Sequence, residues 1–455
     1  MPPKSIPLPV ASNRPCALVF SYYFAPSSEV AARRLAAIVS LLPTTQLDVL
    51  IVSKFGGADL SPGAQIQPRV FAIPVAEPPR LLLDGLVLIK RLLLRARPKR
   101  ASVKVAAAAP LGSSTPSIAA RLYEEFLAVL QALDAQKKWS YRAYRTALRA
   151  TQSRDLRLVI ASGPPFSSAI VAHWIARRSK APYILDFRDP MAAGWDNEFK
   201  RPAWIAWIVE RLERSIITAA AAVTCASPGI ARMLRSAYPQ QAYKIELVMN
   251  GFDGAIQPTP AATNHRLDIA FAGSLYLNRD PFPFLEALDS LLAEPGIDAR
   301  RITARFIGDC ESFGNRRLAD WLRGRRCEAV VQLVPAMPAA ELAPVLTTAT
   351  VHLNLAQLQP NQIPAKTFEH LASGREVLVL CEPDSDTGRL LGSIPGALQV
   401  DPADEAALQA ALRDLYRRHV VDGVSKSLPT QQVLQYSRAV QNERFAALIG
   451  NIVRL

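Results

Sequence analysis

Paired cysteines are missing from this chain. Its five cysteines (Cys16, Cys225, Cys310, Cys327 and Cys381) are scattered through 455 residues, with no spacing for a zinc site or a redox pair. Three of them sit beside apolar or small residues and are expected as buried thiols, in keeping with a reduced, cytosolic protein. A continuous apolar run is missing too. The start, Met-Pro-Pro-Lys, leads into a proline-broken stretch unlike a signal peptide. The longest uncharged runs are interrupted by Pro164 and Pro165, or by Pro228 and Gly229, which argues against a spanning helix. Histidines are few, five in all; His173 and His370 both fall on expected helices, where neither makes a convincing base. No carboxylate, His or Cys cluster has metal-ligand spacing. Asp384-Ser385-Asp386 copies a short metal signature, but such acidic loops are frequent by chance, and no metal is expected. No internal repeat is detected.

What is present is a globular composition, half hydrophobic and one fifth charged, with a net charge of +14. The length calls for two domains of about 200 residues each. Short apolar runs alternate with helical patterns, which predicts an α/β chain with parallel sheets. Expected strands in the first half are 17–20, 47–52, 70–73, 158–161, 183–186, 222–226 and 244–248. Helices are expected over 29–41 and 167–178. The Ala-, Pro- and Ser-rich stretch 106–117 reads as a loop within the first domain. After Asn250-Gly251-Phe252-Asp253 the chain turns loop-like through His265, and Pro258, Thr259, Pro260 and Thr263 mark a linker. A second series of strands (268–271, 303–307, 330–333, 351–355) and helices (282–292, 315–322, 339–347) follows, with a last helix over 434–453. The expected organisation is an N-terminal domain over 1–254, a second over 266–430, and a C-terminal helical segment, 431–455, packing back toward the first. Both domains read as Rossmann-like and doubly wound.

The most informative segment runs from Ile363 to Leu380: a loop, a helix of about two turns closed by Gly374, and a buried strand. Lys366 and Glu369 are three apart and share one helix face. The loop at Ile363 and Pro364 would present free backbone N–H groups and the positive end of the helix dipole to a phosphate. Gly273 and Ser274 end the strand over 268–271, and Arg279 follows in the loop; glycine permits close approach of backbone to a ligand and arginine can hold a diphosphate bidentately.

In this order the chain resembles the retaining GT-B glycosyltransferases of the family 4-like group, which have two Rossmann-like domains facing a central cleft and use nucleotide-diphospho-sugars. The resemblance is carried by Tyr22-Tyr23-Phe24-Ala25-Pro26 with Arg33 and Arg34, by Ser162-Gly163-Pro164-Pro165-Phe166-Ser167-Ser168, and by Asp186-Phe187-Arg188-Asp189-Pro190. Asn250-Gly251-Phe252-Asp253, Ala272-Gly273-Ser274-Leu275-Tyr276 and the Lys366-to-Gly374 segment complete it. It implies a hexosyltransferase in polysaccharide biosynthesis. Donor contacts would come from Gly273, Ser274, Arg279, Asn361, Ile363, Pro364, Lys366 and Glu369. Arg279 and Lys366 would offset diphosphate charge, Glu369 would take the ribose hydroxyls, and Asp186, Arg188 or Asp189 would orient the sugar or acceptor. Pro26, Arg33, Gly163, Pro164 and Pro165 fall on the acceptor side, and Ser167 is placed to cap its helix. Met191 stands where tryptophan is usual, Asn361 replaces a glutamate eight positions before Glu369, and the histidine at the end of the acceptor-side strand is missing. No cofactor is expected beyond the nucleotide-sugar co-substrate. A nucleotide-sugar epimerase and a catalytically silent binding subunit are the alternatives on the same fold.

The expected acceptor is lipid-linked. Arg80–Lys104 is basic and leucine-rich, the pattern of a membrane-surface element, and it lacks the aromatics of a nucleic-acid platform. Peripheral contact with the inner face of the cytoplasmic membrane, and no nucleic-acid partner, is the expectation.

Overall fold

The computed structural model describes residues 14–24, 30–42, 46–54, 65–78, 133–192, 202–256, 264–276 and 278–453. The linker at 258–263, the loop at 106–117, the Arg80–Lys104 segment and Pro26 lie outside them.

Two sheets carry the chain. The first holds β1 (Cys16–Phe20), β2 (Asp48–Ser53), β3 (Gln65–Gln67), β4 (Val70–Pro74), β5 (Leu156–Gly163), β6 (Tyr183–Phe187), β7 (Ala222–Cys225) and β8 (Ile245–Leu247), in the order β3-β4-β2-β1-β5-β6-β7-β8. β1 runs parallel to β2 and β5, β2 to β4, and β7 to β8; the short β3 is antiparallel to its neighbour β4. β1 and β2 are buried along their whole length, as continuous apolar runs in a two-sided parallel sheet should be. The helices over this part are α1 (Val30–Leu41), α2 (Lys137–Thr151), α3 (Phe166–Ser179), α4 (Ala203–Ala219) and α5 (Pro228–Ala237).

The second sheet is parallel throughout: β9 (Leu267–Ala272), β10 (Ile302–Ile307), β13 (Val331–Val334), β14 (Val351–Leu355), β15 (Glu376–Leu380) and β16 (Ala397–Val400), ordered β13-β10-β9-β14-β15-β16. The helices along this part of the chain are α6 (Phe282–Leu291), α7 (Leu318–Leu322), α8 (Ala339–Thr347), α9 (Ala365–Ala372), α10 (Asp386–Gly392), α11 (Glu405–Tyr416), α12 (Thr430–Leu434) and α13 (Arg438–Ile452). Between β10 and α7 lies a hairpin, β11 (Ser312–Phe313) and β12 (Arg316–Arg317), where a helix from Asn315 is expected. Gly314 sits at φ +58° and turns the chain, so the helix begins only at Leu318.

By packing, the described chain separates into two compact units. One comprises Met1–Ala32, Leu42–Leu185 and Met191–Ala220; the other comprises Arg33–Leu41, Asp186–Pro190 and Ala221–Leu455. Among the described residues of the second unit are two apolar clusters. The larger is built on β9, β10 and β14 with Phe284, Leu285, Leu288 and Phe306; the smaller gathers Phe252, Ile363, Phe368, Leu371 and Val379 beneath α9. All five cysteines are buried and free, and burial pushes the Cys225 thiol up to about 12. Among the described residues no helix is long and apolar enough to cross a membrane.

Asn250–Asp253 is tied to the end of the chain. Gly251 lies at φ +66°, where a Cβ would stand 2.9 Å from both Tyr436 O and Arg438 N; Arg438 N donates to Phe252 O at 2.8 Å, and Arg438 Nε reaches Asp253 at 2.6 Å.

Candidate functional site

In an open parallel sheet, ligands bind beyond the carboxyl ends of the strands where the strand order reverses. In the second sheet that point lies between β9 and β14, and the predicted donor residues fall there. β9 runs out at Gly273, whose N–H donates to Ile307 O at 2.9 Å. Gly308, at φ +126°, faces it so closely that a Cβ would stand 2.1 Å from Gly273 O. Sequence reading missed Gly308; its signal, a glycine directly after a buried strand, equals that of Gly273. Arg279 folds back over this turn, with Nη1 3.4 Å from Ser274 O and its guanidinium 4.6 Å above the Tyr276 ring. Gln357 Nε2 donates to Asp280 O at 2.7 Å, and Asn278 to Leu358 O at 3.2 Å. These bonds join the Arg279 loop to the segment that leads into α9.

α9 starts after Pro364, which supplies extended backbone and no side-chain cap. Its buried face is fixed by Phe368 and Leu371 and by Asn354 of β14, which donates to Thr367 Oγ1 at 2.9 Å. The open face carries Lys366 and Glu369, paired at 2.6 Å. Arg33 of α1 reaches the other Glu369 oxygen at 3.1 Å. Two cations therefore share one half-exposed carboxylate. Such pairs contribute only about 0–1 kcal/mol each, so little is lost when they rearrange around an anionic ligand. Arg33, expected on the acceptor side, thus stands beside the donor residues.

His370 points away from this face. It stacks on His352 of β14 with ring centroids 5.0 Å apart, both rings buried and without hydrogen-bond partners. Burial lowers His352 to about 4 and holds His370 well below the ordinary histidine range, so both are neutral. Ile363 turns its side chain into the core rather than toward a ligand. Asn361 offers its carbonyl to Ser227 Oγ at 2.5 Å, while its side-chain oxygen abuts Gly229, leaving no room for a Cβ there.

The Asp-Phe-Arg-Asp segment divides into two roles. Asp186 is fully buried: Arg34 grips both its oxygens at 2.7 and 3.0 Å, Thr224 donates at 2.7 Å, and Arg34 also donates to Val248 O and Met249 O. This is a correction to Asp186 as a sugar-orienting group. With every oxygen engaged by protein it is a positioning residue that fixes the end of β6. Asp189 is half-buried and takes one hydrogen bond, 2.7 Å from Gln362 Nε2. Burial pushes its carboxyl up from the usual range, opposed by Arg188 and by the Gln362 bond. Gln362 carries no motif of its own and was not singled out.

Asp384 and Asp386 do not converge. Asp384 is exposed, whereas Asp386 is buried, accepting from the Gly229 N–H and from Arg232 at 2.7 Å. Asp386 acts as an anion at the start of α5, where a helix dipole favours one. Among the described residues, no group of three or more His, Cys, Asp or Glu side chains could hold a metal ion.

In the first unit, the Gly163-Pro164-Pro165 turn closes β5 at that sheet's own reversal between β1 and β5, with both prolines in cis linkages. Ser167 does not cap α3. It is the second residue of the helix, and its N–H and Oγ both donate to Asp134, at 2.7 and 2.6 Å.

Residues 31–251 match the glycosyl transferase 4-like domain. Among curated proteins none matches the chain. Among solved structures it is similar to an α,α-trehalose-phosphate synthase (UDP-forming) from Burkholderia vietnamiensis, at TM-score 0.58 and 11% identity over 97% of this chain and 100% of that one. It is similar to the sucrose-phosphate synthase of Thermosynechococcus elongatus, at TM-score 0.55 and 12% identity over 97% and 98%. Anabaena HepE in complex with UDP matches at TM-score 0.55 and 12% identity over 96% and 100%. At these identities the structures speak for the fold, two Rossmann-like domains, and the domain match speaks for the family. A glycosyl transferase 4-like domain over residues 31–251 thus sits on a chain whose two Rossmann-like domains have the fold of GT-B glycosyltransferases.

Proposed function

We propose that the protein transfers a hexose, with retention, from a nucleotide-diphospho-sugar to a lipid-linked precursor of a cell-surface polysaccharide, working at the cytoplasmic side of the membrane. The observation that carries the donor half is the convergence of Arg33, Lys366 and Glu369 on the open face of α9, at the reversal point of the second sheet. A nucleoside diphosphate entering there meets two cations, the uncapped start of α9 and the Gly273 turn, while Glu369 offers its oxygens to ribose hydroxyls. Anabaena HepE has been solved with UDP and with UDP-glucose, and the Burkholderia enzyme is UDP-forming, which supports a uridine nucleotide as the first donor to test.

In the transfer itself, charge develops on the departing diphosphate. Arg279, Lys366 and Arg33 offset that charge, the largest contribution protein groups make to such a step. Asp189, with its raised carboxyl and single partner, orients the incoming hydroxyl. The reaction requires no divalent metal in this reading, because the cationic side chains take that role. Activity abolished by a chelator and restored by manganese or magnesium would reverse it.

The direct test is a thermal-shift series with UDP, GDP, ADP and their sugars, since a ligand of the native state raises the melting temperature. A shift with at least one nucleotide diphosphate, and none with nucleosides, is expected. No shift with any of them would favour a silent subunit.

A further inference from the structure

Three helices of the first unit form one layer, α2 packing on α3 and α3 on α4, and their outward surface has an unusual make-up. α4 buries Ile205, Val209, Ile216 and Ile217 on one side. On the other, at helical spacing, Trp204, Trp207, Ile208 and Arg211 lead into Ser215 and Thr218. Trp204 is 51% exposed and Trp207 59%, with Arg211 stacked 5.0 Å above the Trp207 ring. On α3, Trp174 is 46% exposed and meets Tyr144 of α2 edge-on at 5.9 Å; Tyr141 of α2 is 57% exposed. Charge on this layer is one-sided. α2 carries five Lys and Arg, α3 with its C-cap three, and α4 two, against only Glu210 and the buried Glu213. Between α3 and α4 four of these cations line a groove of about 690 Å³, Arg177 and Lys180 from α3 and its C-cap and Arg211 and Arg214 from α4.

Exposed indole rings cost solubility and add nothing to the core, and ten cations in one layer repel one another. Both are relieved by one occupant: a surface with an apolar interior and an anionic rim. We infer that the α2–α3–α4 layer docks on an anionic lipid bilayer, the indoles entering the headgroup boundary and the groove cations meeting lipid phosphates. Tryptophan favours that boundary because one part of its ring is apolar and its N–H is polar. Each basic side chain near such a surface adds attraction that salt screens. This deepens the reading of a lipid-linked acceptor without depending on it, because vesicle binding involves neither donor nor acceptor.

The test is co-sedimentation of the full chain with vesicles of phosphatidylcholine alone or mixed with phosphatidylglycerol. Two variants are compared with wild type: Trp204→Ser with Trp207→Ser, and Arg177, Lys180, Arg211 and Arg214 each changed to glutamine. All these side chains are exposed, so melting temperatures and nucleotide-induced shifts should match wild type. Wild type should pellet with the anionic vesicles only, with a blue-shifted tryptophan emission. Each variant should bind at least tenfold more weakly, and the serine variant should lose the shift. Four results would overturn the inference: no wild-type binding to anionic vesicles, full binding by both variants, tighter binding to a polynucleotide than to vesicles, or a wild-type dimer that the serine variant dissociates.

Discussion

Gln362 donates a 2.7 Å hydrogen bond to Asp189, joining the loop before α9 to the turn after β6. That bond accepts replacement of the carboxylate by an amide oxygen. Asp189→Asn should therefore fold with an unchanged or slightly higher melting temperature, since a costly half-buried charge is gone. Transfer activity should fall by about 10²–10⁴-fold if the ionised group orients the acceptor hydroxyl. Steady-state kinetics beside a thermal melt checks both. Wild-type activity in a stably folded variant would remove Asp189 from the reaction.

Lys366→Ala and Glu369→Ala should each weaken nucleotide-diphosphate binding by about 1–3 kcal/mol, the range for lost charge-assisted hydrogen bonds. Melting temperatures should move little, because the Arg33–Glu369–Lys366 pairs are half-exposed. Calorimetry showing unchanged affinity in both variants would clear the donor from this face.

Gly308→Ala should cost about 3 kcal/mol or more, combining a φ of +126° with a Cβ placed against Gly273 O. Because relief requires moving Gly273, donor affinity should fall along with stability. Gly314→Ala, in open space at φ +58°, is the control: backbone strain without a clash, and no loss of donor binding.

The stacked histidines predict a pH dependence of stability. An unfolded histidine titrates near 6.5, whereas His352 in the folded chain titrates at about 4. Between those values the unfolded state binds more protons, so stability rises with pH across that window and is flat above it. His352→Phe keeps a ring against His370 and removes one of the two groups, so the slope between pH 4 and 6.5 should shrink. An unchanged slope in denaturant titrations would mean other groups govern it.

The sheets were legible because their strands are short apolar runs bounded by breakers, and nearly every expected strand matches within two residues. α9 was legible because Lys366, Glu369 and Gly374 are local signals. Two kinds of feature were not. Pro228 reads as a breaker in a linear scan, yet it occupies the first turn of α5 behind the Ser227 cap, where a missing N–H costs nothing. The second kind is pairing across the chain. Nothing local in Asp186 tells that Arg34, 152 positions away, will take both oxygens, or that Asp189 will be left with Gln362. Motif position alone therefore could not separate the buried carboxylate from the one with capacity to spare.

The knot of hydrogen bonds between Asn250–Asp253 and Arg438 also constrains how the protein is made. Its two sides are separated by 185 to 188 positions. At about 5–20 residues per second, Asn250–Asp253 is synthesised roughly ten to forty seconds before Arg438 exists. Throughout that interval Gly251 must wait in a left-handed conformation without its partners, or reach it late, when α13 arrives. The arrival of α13 is thus the step that closes this joint, and a ribosome stalled before Arg438 would hold a protein whose second sheet can be complete while the joint stays open.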